Sequence, residues 1–110
     1  MPLLYAIGDI HGRRDLLEPL LAAIDADAAS GGEVARIVFL GDVIDRGPES
    51  CQALELVIDA LRDRPDSALI LGNHEEFMLR FIDDAKNREQ IARSWFANGG
   101  LATLASYGFG

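Results

Sequence analysis

Three short stretches of this chain carry side chains that could hold cations and oxyanions. They are Gly8-Asp9-Ile10-His11-Gly12, Gly41-Asp42-Val43-Ile44-Asp45-Arg46-Gly47 and Gly72-Asn73-His74-Glu75. Asp9 and His11 stand two apart, so in an extended segment their side chains leave on one side and could grip a single ion. Asp42 can give one carboxylate oxygen to each of two metals about 3.5–4 Å apart. Asn73 offers a neutral carbonyl oxygen to a second metal without adding charge. His74, beside it, could serve as acid or base, and Arg46 could hold an oxyanion. Mixed Asp/His/Asn ligation suits Mn²⁺, Fe or Zn²⁺ better than Ca²⁺, and the lack of nearby thiols argues against a structural zinc site.

Such loops need a scaffold that brings them together. Each follows an apolar run: Leu3-Leu4-Tyr5-Ala6, Ile37-Val38-Phe39-Leu40 and Ala68-Leu69-Ile70-Leu71. These short continuous runs predict strands over 3–7, 37–40 and 67–71, the first of them buried on both faces. Between them lie helical patterns. Asp15 and Glu18 have capping-box spacing, with Asp15 as N-cap and Pro19 shifting the start by a residue or two. Leu16, Leu17, Leu20, Leu21 and Ile24 then form one apolar face, ending near Ala29 before Ser30-Gly31-Gly32. Pro48 suits the first turn of the next helix, whose buried stripe is Cys51, Leu54, Val57, Ile58 and Leu61. Glu75 and Glu76 favour the start of a third helix through its dipole, with Phe77, Met78, Phe81 and Ile82 facing the core. A polar connection over 83–90 leads to two short helices, 91–96 and 101–106, split by Asn98-Gly99-Gly100.

This order is βαβαβα, which implies an α/β fold with a parallel sheet and right-handed crossovers. Asp9, Asp42 and Asn73 lie 33 and 31 residues apart, about one βα unit each. Topology therefore gathers the three loops at the carboxyl edge of the sheet, where ligands collect in such folds.

Composition narrows the partners. A formal charge of -8 argues against nucleic-acid binding, and the single lysine, Lys86, leaves no polybasic run. No apolar run approaches the roughly 18–20 residues of a membrane span. The start lacks a basic region, so no signal peptide is expected. The lone cysteine, Cys51, excludes an internal disulfide and points to the cytoplasm.

Taken together, Asp9-Ile10-His11-Gly12, Gly41-Asp42-Val43-Ile44-Asp45-Arg46-Gly47 and Gly72-Asn73-His74-Glu75 resemble the DxHG, GDxxDRG and GNHE signatures of calcineurin-like metallophosphoesterases, in the phosphoprotein-phosphatase branch. The tail, with Trp95-Phe96-Ala97-Asn98-Gly99-Gly100, Thr103 and Ser106-Tyr107-Gly108, is similar to bacterial serine/threonine phosphatases. The resemblance implies half of a two-sheet metallophosphoesterase sandwich. It implies Asp9 and His11 on one metal, Asp42 bridging and Asn73 on the second, with Mn²⁺ first and Fe or Zn²⁺ as alternatives. It further implies His74 as general acid oriented by Asp45, Arg46 on the phosphoryl oxygens, and attack by a bridging hydroxide on a phosphorylated protein or peptide. A dinucleoside-polyphosphate hydrolase is the alternative; that branch tends to carry Asp where Glu75 stands.

Two departures qualify the match. Leu71 occupies the place where eukaryotic members often have Arg. The family also draws further histidine ligands and an arginine from its second half, whereas both histidines here are already assigned. Residues 1–110 therefore read as a single, incomplete domain, and a non-catalytic metal-binding half-domain that self-associates is the reading from another class. Among plainer roles, Arg46 is open to a salt bridge with Asp42 or Asp45, Glu75 reads as a helix-start residue, Cys51 as core, and Trp95 and Phe96 as packing.

Overall fold

The computed structural model describes residues 3–109. Its elements are β1 (Leu4–Ile7), α1 (Arg14–Ser30), β2 (Arg36–Phe39), α2 (Ser50–Asp63), β3 (Ala68–Leu69), α3 (Asn73–Asp83), α4 (Arg88–Ala97) and α5 (Gly100–Ser106). The strands form one parallel sheet in the order β1-β2-β3. Ile7 pairs with Phe39, and Phe39 with Leu69, so all three strands end level. The ladder runs one step further, with the Leu40 N–H donating to the Ile7 carbonyl and the Ile70 N–H to the Phe39 carbonyl, each at 2.8 Å. The motif loops leave the sheet from this shared edge.

The core lies on one side of the sheet. Ile7, Ile37 and Phe39 meet Leu17, Leu21, Ile24 and Ala28 of α1 and Ala53, Val57 and Ala60 of α2. The other side carries Leu4, Ala6, Leu40, Ala68 and Ile70, all exposed. The apolar run over 3–7 predicts a strand buried on both faces; among the described residues only one face of the sheet is covered, as expected of three βα units that stand alone. The radius of gyration agrees, at 15.3 Å, against about 13 Å for a compact chain of 100 residues.

Several local expectations shift for identifiable reasons. The N-cap of α1 is Arg13, not Asp15; Asp15 sits in the first turn, where its carboxylate takes the Arg13 guanidinium at 2.9 and 3.0 Å. Pro19 lies inside α1, which runs through it unbroken. Leu16 and Leu20, expected on the buried face, are exposed, because the helix contacts the core through a narrower stripe. Helix α2 starts at Ser50, two residues after Pro48, because Ser50 is drawn into polar contacts beneath the second loop. Cys51 is half-buried and Ile58 exposed, the buried stripe being Ser50, Ala53, Val57 and Ala60. β3 is only two residues long. Phe77, Met78 and Phe81 of α3 pack on the core while Ile82 is exposed, and α4 begins inside the stretch expected to be a connection.

Exposed apolar surface of this kind favours association. We propose that the 110-residue chain self-associates through the open face of its sheet. Sedimentation at tens of micromolar should show species above monomer mass, and Leu4→Lys with Ile70→Lys should return a monomer. A wild-type chain that stays monomeric at that concentration would sink the idea.

Candidate metal centre and proton donor

The first loop turns sharply after β1. Asp9 and His11 both adopt the left-handed region, at φ 49° and 45°. Non-glycine residues enter it at a cost, and such strain gathers at functional sites. The loop is held against the second: the His11 N–H donates to the Asp42 carbonyl at 2.9 Å, and the Gly12 N–H to the Val43 carbonyl at 2.8 Å. Gly12 and Gly47 stack backbone to backbone. A Cβ on Gly12 would lie 2.8 Å from the Gly47 carbonyl oxygen, which explains the glycines on both sides.

Carboxylate oxygens of Asp9 and Asp42 and an imidazole nitrogen of His11 lie within 4.8 Å of one another. His11 Nδ1 sits 2.9 Å from the Ile44 carbonyl oxygen, an acceptor, so Nδ1 carries the proton. The Nε2 lone pair is left free, 4.0 Å from Asp9 Oδ1. An imidazole with its other nitrogen bound to a backbone carbonyl is the usual state of a histidine ligand. Two carboxylates and one oriented imidazole thus fit a divalent cation.

Asp42 itself is strained, at φ 54°. Glu75 holds it there. The Glu75 carboxylate is 2% exposed. It accepts the N–H groups of Asp42 at 2.6 Å, Val43 at 2.9 Å, Ile44 at 3.3 Å and Gly72 at 2.9 Å. Four donors from two loops converge on one anion. Glu75 is therefore more than the helix-start residue its position suggests: it staples the second loop to the third. Any side chain on Gly72 would run into the Asp42 carboxylate, so this position needs glycine.

Asn73 opens α3 and is exposed; His74 follows it and is buried. The His74 N–H donates to Asp42 Oδ1 at 3.3 Å, and its ring meets that of His11 edge to face with centroids 4.7 Å apart. His74 Nδ1 lies 2.7 Å from Asp45 Oδ2. Asp45 is fully buried. It also accepts from Trp95 Nε1 at 2.7 Å and from the Thr103 hydroxyl at 2.6 Å. Arg46 is exposed, and among the described residues its guanidinium makes no ion pair with Asp42 or Asp45.

The fold thus brings Asp9, His11, Asp42, Asp45 and His74 together, with Asn73 and Arg46 on the flanking loops. Glu75, Trp95, Thr103 and Ser50 complete the surroundings. Of these, Trp95 was expected only to pack, Thr103 stood only in the tail resemblance with no role attached, and Ser50 carried no signal of its own.

Glu75→Gln would put an amide NH₂ among four N–H donors and leave at least one of them unpaired. It should cost about 2–3 kcal/mol in urea unfolding. A variant as stable as wild type would remove the stapling role.

A family model described as calcineurin-like phosphoesterase matches residues 3–108. Over 71 residues the chain is 44% identical to a symmetrical bis(5'-nucleosyl)-tetraphosphatase of Janthinobacterium sp. (strain Marseille), covering 64% of this chain and 23% of that protein. It is 34% identical over 88 residues to the asymmetrical bis(5'-nucleosyl)-tetraphosphatase PrpE of Oceanobacillus iheyensis, covering 76% of this chain and 35% of that one. Among solved structures, a cold-active protein tyrosine phosphatase aligns with 89% of this chain and 33% of its own at 27% identity and a TM-score of 0.49. The chain spans about a quarter to a third of the length of these curated relatives. With the model matching almost end to end and the loops gathered at one edge, the chain belongs to the calcineurin-like phosphoesterase family.

Proposed function

We propose that the protein is a metal-dependent phosphohydrolase that cleaves the phosphoanhydride bonds of dinucleoside polyphosphates. The observation that carries the chemistry is the cluster of Asp9, His11 and Asp42 facing a buried His74–Asp45 pair. In this reading Asp9, His11, Asp42 and Asn73 would hold the divalent ions, with Mn²⁺ the best match to the mixed oxygen and nitrogen donors. Bound cations would neutralise charge developing on the phosphoryl oxygens. The planar guanidinium of Arg46, without a carboxylate partner among the described residues, would bind the non-bridging oxygens. In the imidazolium form His74, its Nδ1–H given to Asp45, would pass the Nε2 proton to the departing oxygen as water attacks phosphorus and the P–O bond breaks; the ring is left neutral and the water proton passes to solvent. The lone cysteine fits a cytoplasmic setting.

The substrate class rests on the tetraphosphatase relatives. Phosphoserine or phosphothreonine in proteins is the second reading. Glu75 favoured it in the sequence, but its carboxylate is buried under backbone N–H groups and does not report on substrate. What favours it now is the acid itself, since an alkoxide needs a proton far more than a departing nucleotide phosphate does.

With Mn²⁺ present, diadenosine tetraphosphate should be turned over faster than a phosphoserine peptide; the reverse order would install the second reading. Among phosphate monoesters, His74→Asn should depress poor leaving groups such as phosphoserine far more than p-nitrophenyl phosphate. Equal losses would move His74 to a metal or structural role. For the 110-residue chain, calorimetric titration with Mn²⁺ should give one tight site, lost in Asp42→Asn. Two tight sites would contradict the view that ligands for the second ion lie elsewhere, and none would remove the metal centre.

A further inference from the structure

We infer that the α4–α5 hairpin positions the proton donor, with Trp95 and Thr103 holding Asp45 and, through it, His74. The inference rests on the reading of His74 as the acid. Its ground is the direction of every hydrogen bond around Asp45. Oδ2 takes His74 Nδ1 and Trp95 Nε1, each at 2.7 Å, and Oδ1 takes the Thr103 hydroxyl at 2.6 Å. The indole nitrogen can only donate, and the one Thr103 proton is committed to Oδ1. Ser50 Oγ lies 3.1 Å from Thr103 Oγ1 and so supplies the proton of that contact. Ser50 Oγ and Thr103 Oγ1 both accept from the Asp45 N–H, at 3.0 and 2.9 Å.

The donors point one way, onto an ionised carboxylate. His74 then has no choice but to donate from Nδ1, which leaves Nε2 for the reacting oxygen. Trp95 and Thr103 are each buried and bonded to Asp45, so they act on His74 through it, as positioning residues.

The hairpin is shaped for this task. Gly100 lies flat against the Trp95 indole; a Cβ there would come within 2.6 Å of ring carbons. Gly99, at φ 99°, accepts the Arg46 N–H at 3.1 Å, and a Cβ on it would meet Arg46 Cγ at 2.6 Å. Asp45 and Arg46 are both in the left-handed region, at φ 77° and 75°. Their strained backbone is braced from the hairpin, 50 to 58 residues further along the chain.

The test uses Trp95→Phe, which removes the N–H, Thr103→Val, which removes the hydroxyl at constant shape, and Thr103→Ser, which restores it. The first readout needs no activity: the His74 Nδ1–H proton, followed by ¹H–¹⁵N NMR. It should be protected in wild type and Thr103→Ser and exchange about tenfold faster in the other two, as expected for loss of a bond to a charged acceptor. The second is turnover. Thr103→Val should lower kcat about tenfold on a poor leaving group with KM unchanged, and leave p-nitrophenyl phosphate near wild type. Protection retained in both deletion variants, or equal losses on the two substrates with no rescue by serine, would overturn the positioning role. Should His74→Asn itself fail to discriminate between leaving groups, the acid reading falls, while the exchange measurement still judges the hairpin's hold on Asp45.

Discussion

A single buried anion organises the ligand loops. Turning the chain into the left-handed region at Asp42 aims the N–H groups of Asp42, Val43 and Ile44 inward. Without an acceptor, three buried donors would each forfeit their water. The Glu75 carboxylate accepts all of them and takes the Gly72 N–H as well. The arrangement is an anion nest whose anion is supplied by the protein's own helix start. Because Glu75 answers the backbone, Asp42 is free to present its carboxylate to the open edge of the sheet beside Asp9 and His11.

A second carboxylate plays a parallel part for His74. Asp45 ties the second loop to His74 on one side and to the α4–α5 hairpin on the other. The two buried anions differ in what they neutralise: Glu75 faces four backbone dipoles, while Asp45 faces an imidazole, an indole and a hydroxyl. Their territories meet where the His11 and His74 rings touch edge to face. The Asp9–His11–Asp42 cluster and His74 are thereby held by two buried carboxylates acting on a common loop.

What could be read in the sequence was whatever local spacing dictates. Asp9, His11, Asp42, Asn73 and His74 follow apolar runs at intervals of one βα unit, and parallel register places such positions at one edge. The supporting residues were illegible for a physical reason. A glutamate in the first turn of a helix is ordinary, and nothing near Glu75 shows that its partners lie 31 to 33 residues away. Trp95 and Thr103 look like packing residues until tertiary contact puts them on Asp45. The expectation of a strand buried on both faces over 3–7 fails because apolar runs reveal that a surface wants covering, not what covers it. At α1, the capping-box spacing of Asp15 and Glu18 was overridden by the Arg13–Asp15 pair and by the packing of Gly12 on Gly47.

The left-handed residues have an evolutionary meaning. Among the described residues, Asp9, His11, Asp42, Asp45 and Arg46 make up all but one of the non-glycine residues with positive φ. Each such conformation costs on the order of 1 kcal/mol or more, and glycine would relieve it at the exposed positions Asp9 and Arg46. A lineage selected for robustness alone would drift toward glycine there. At Asp9 and Arg46 the stability that glycine would add is thus given up for a carboxylate and a guanidinium at the carboxyl edge of the sheet.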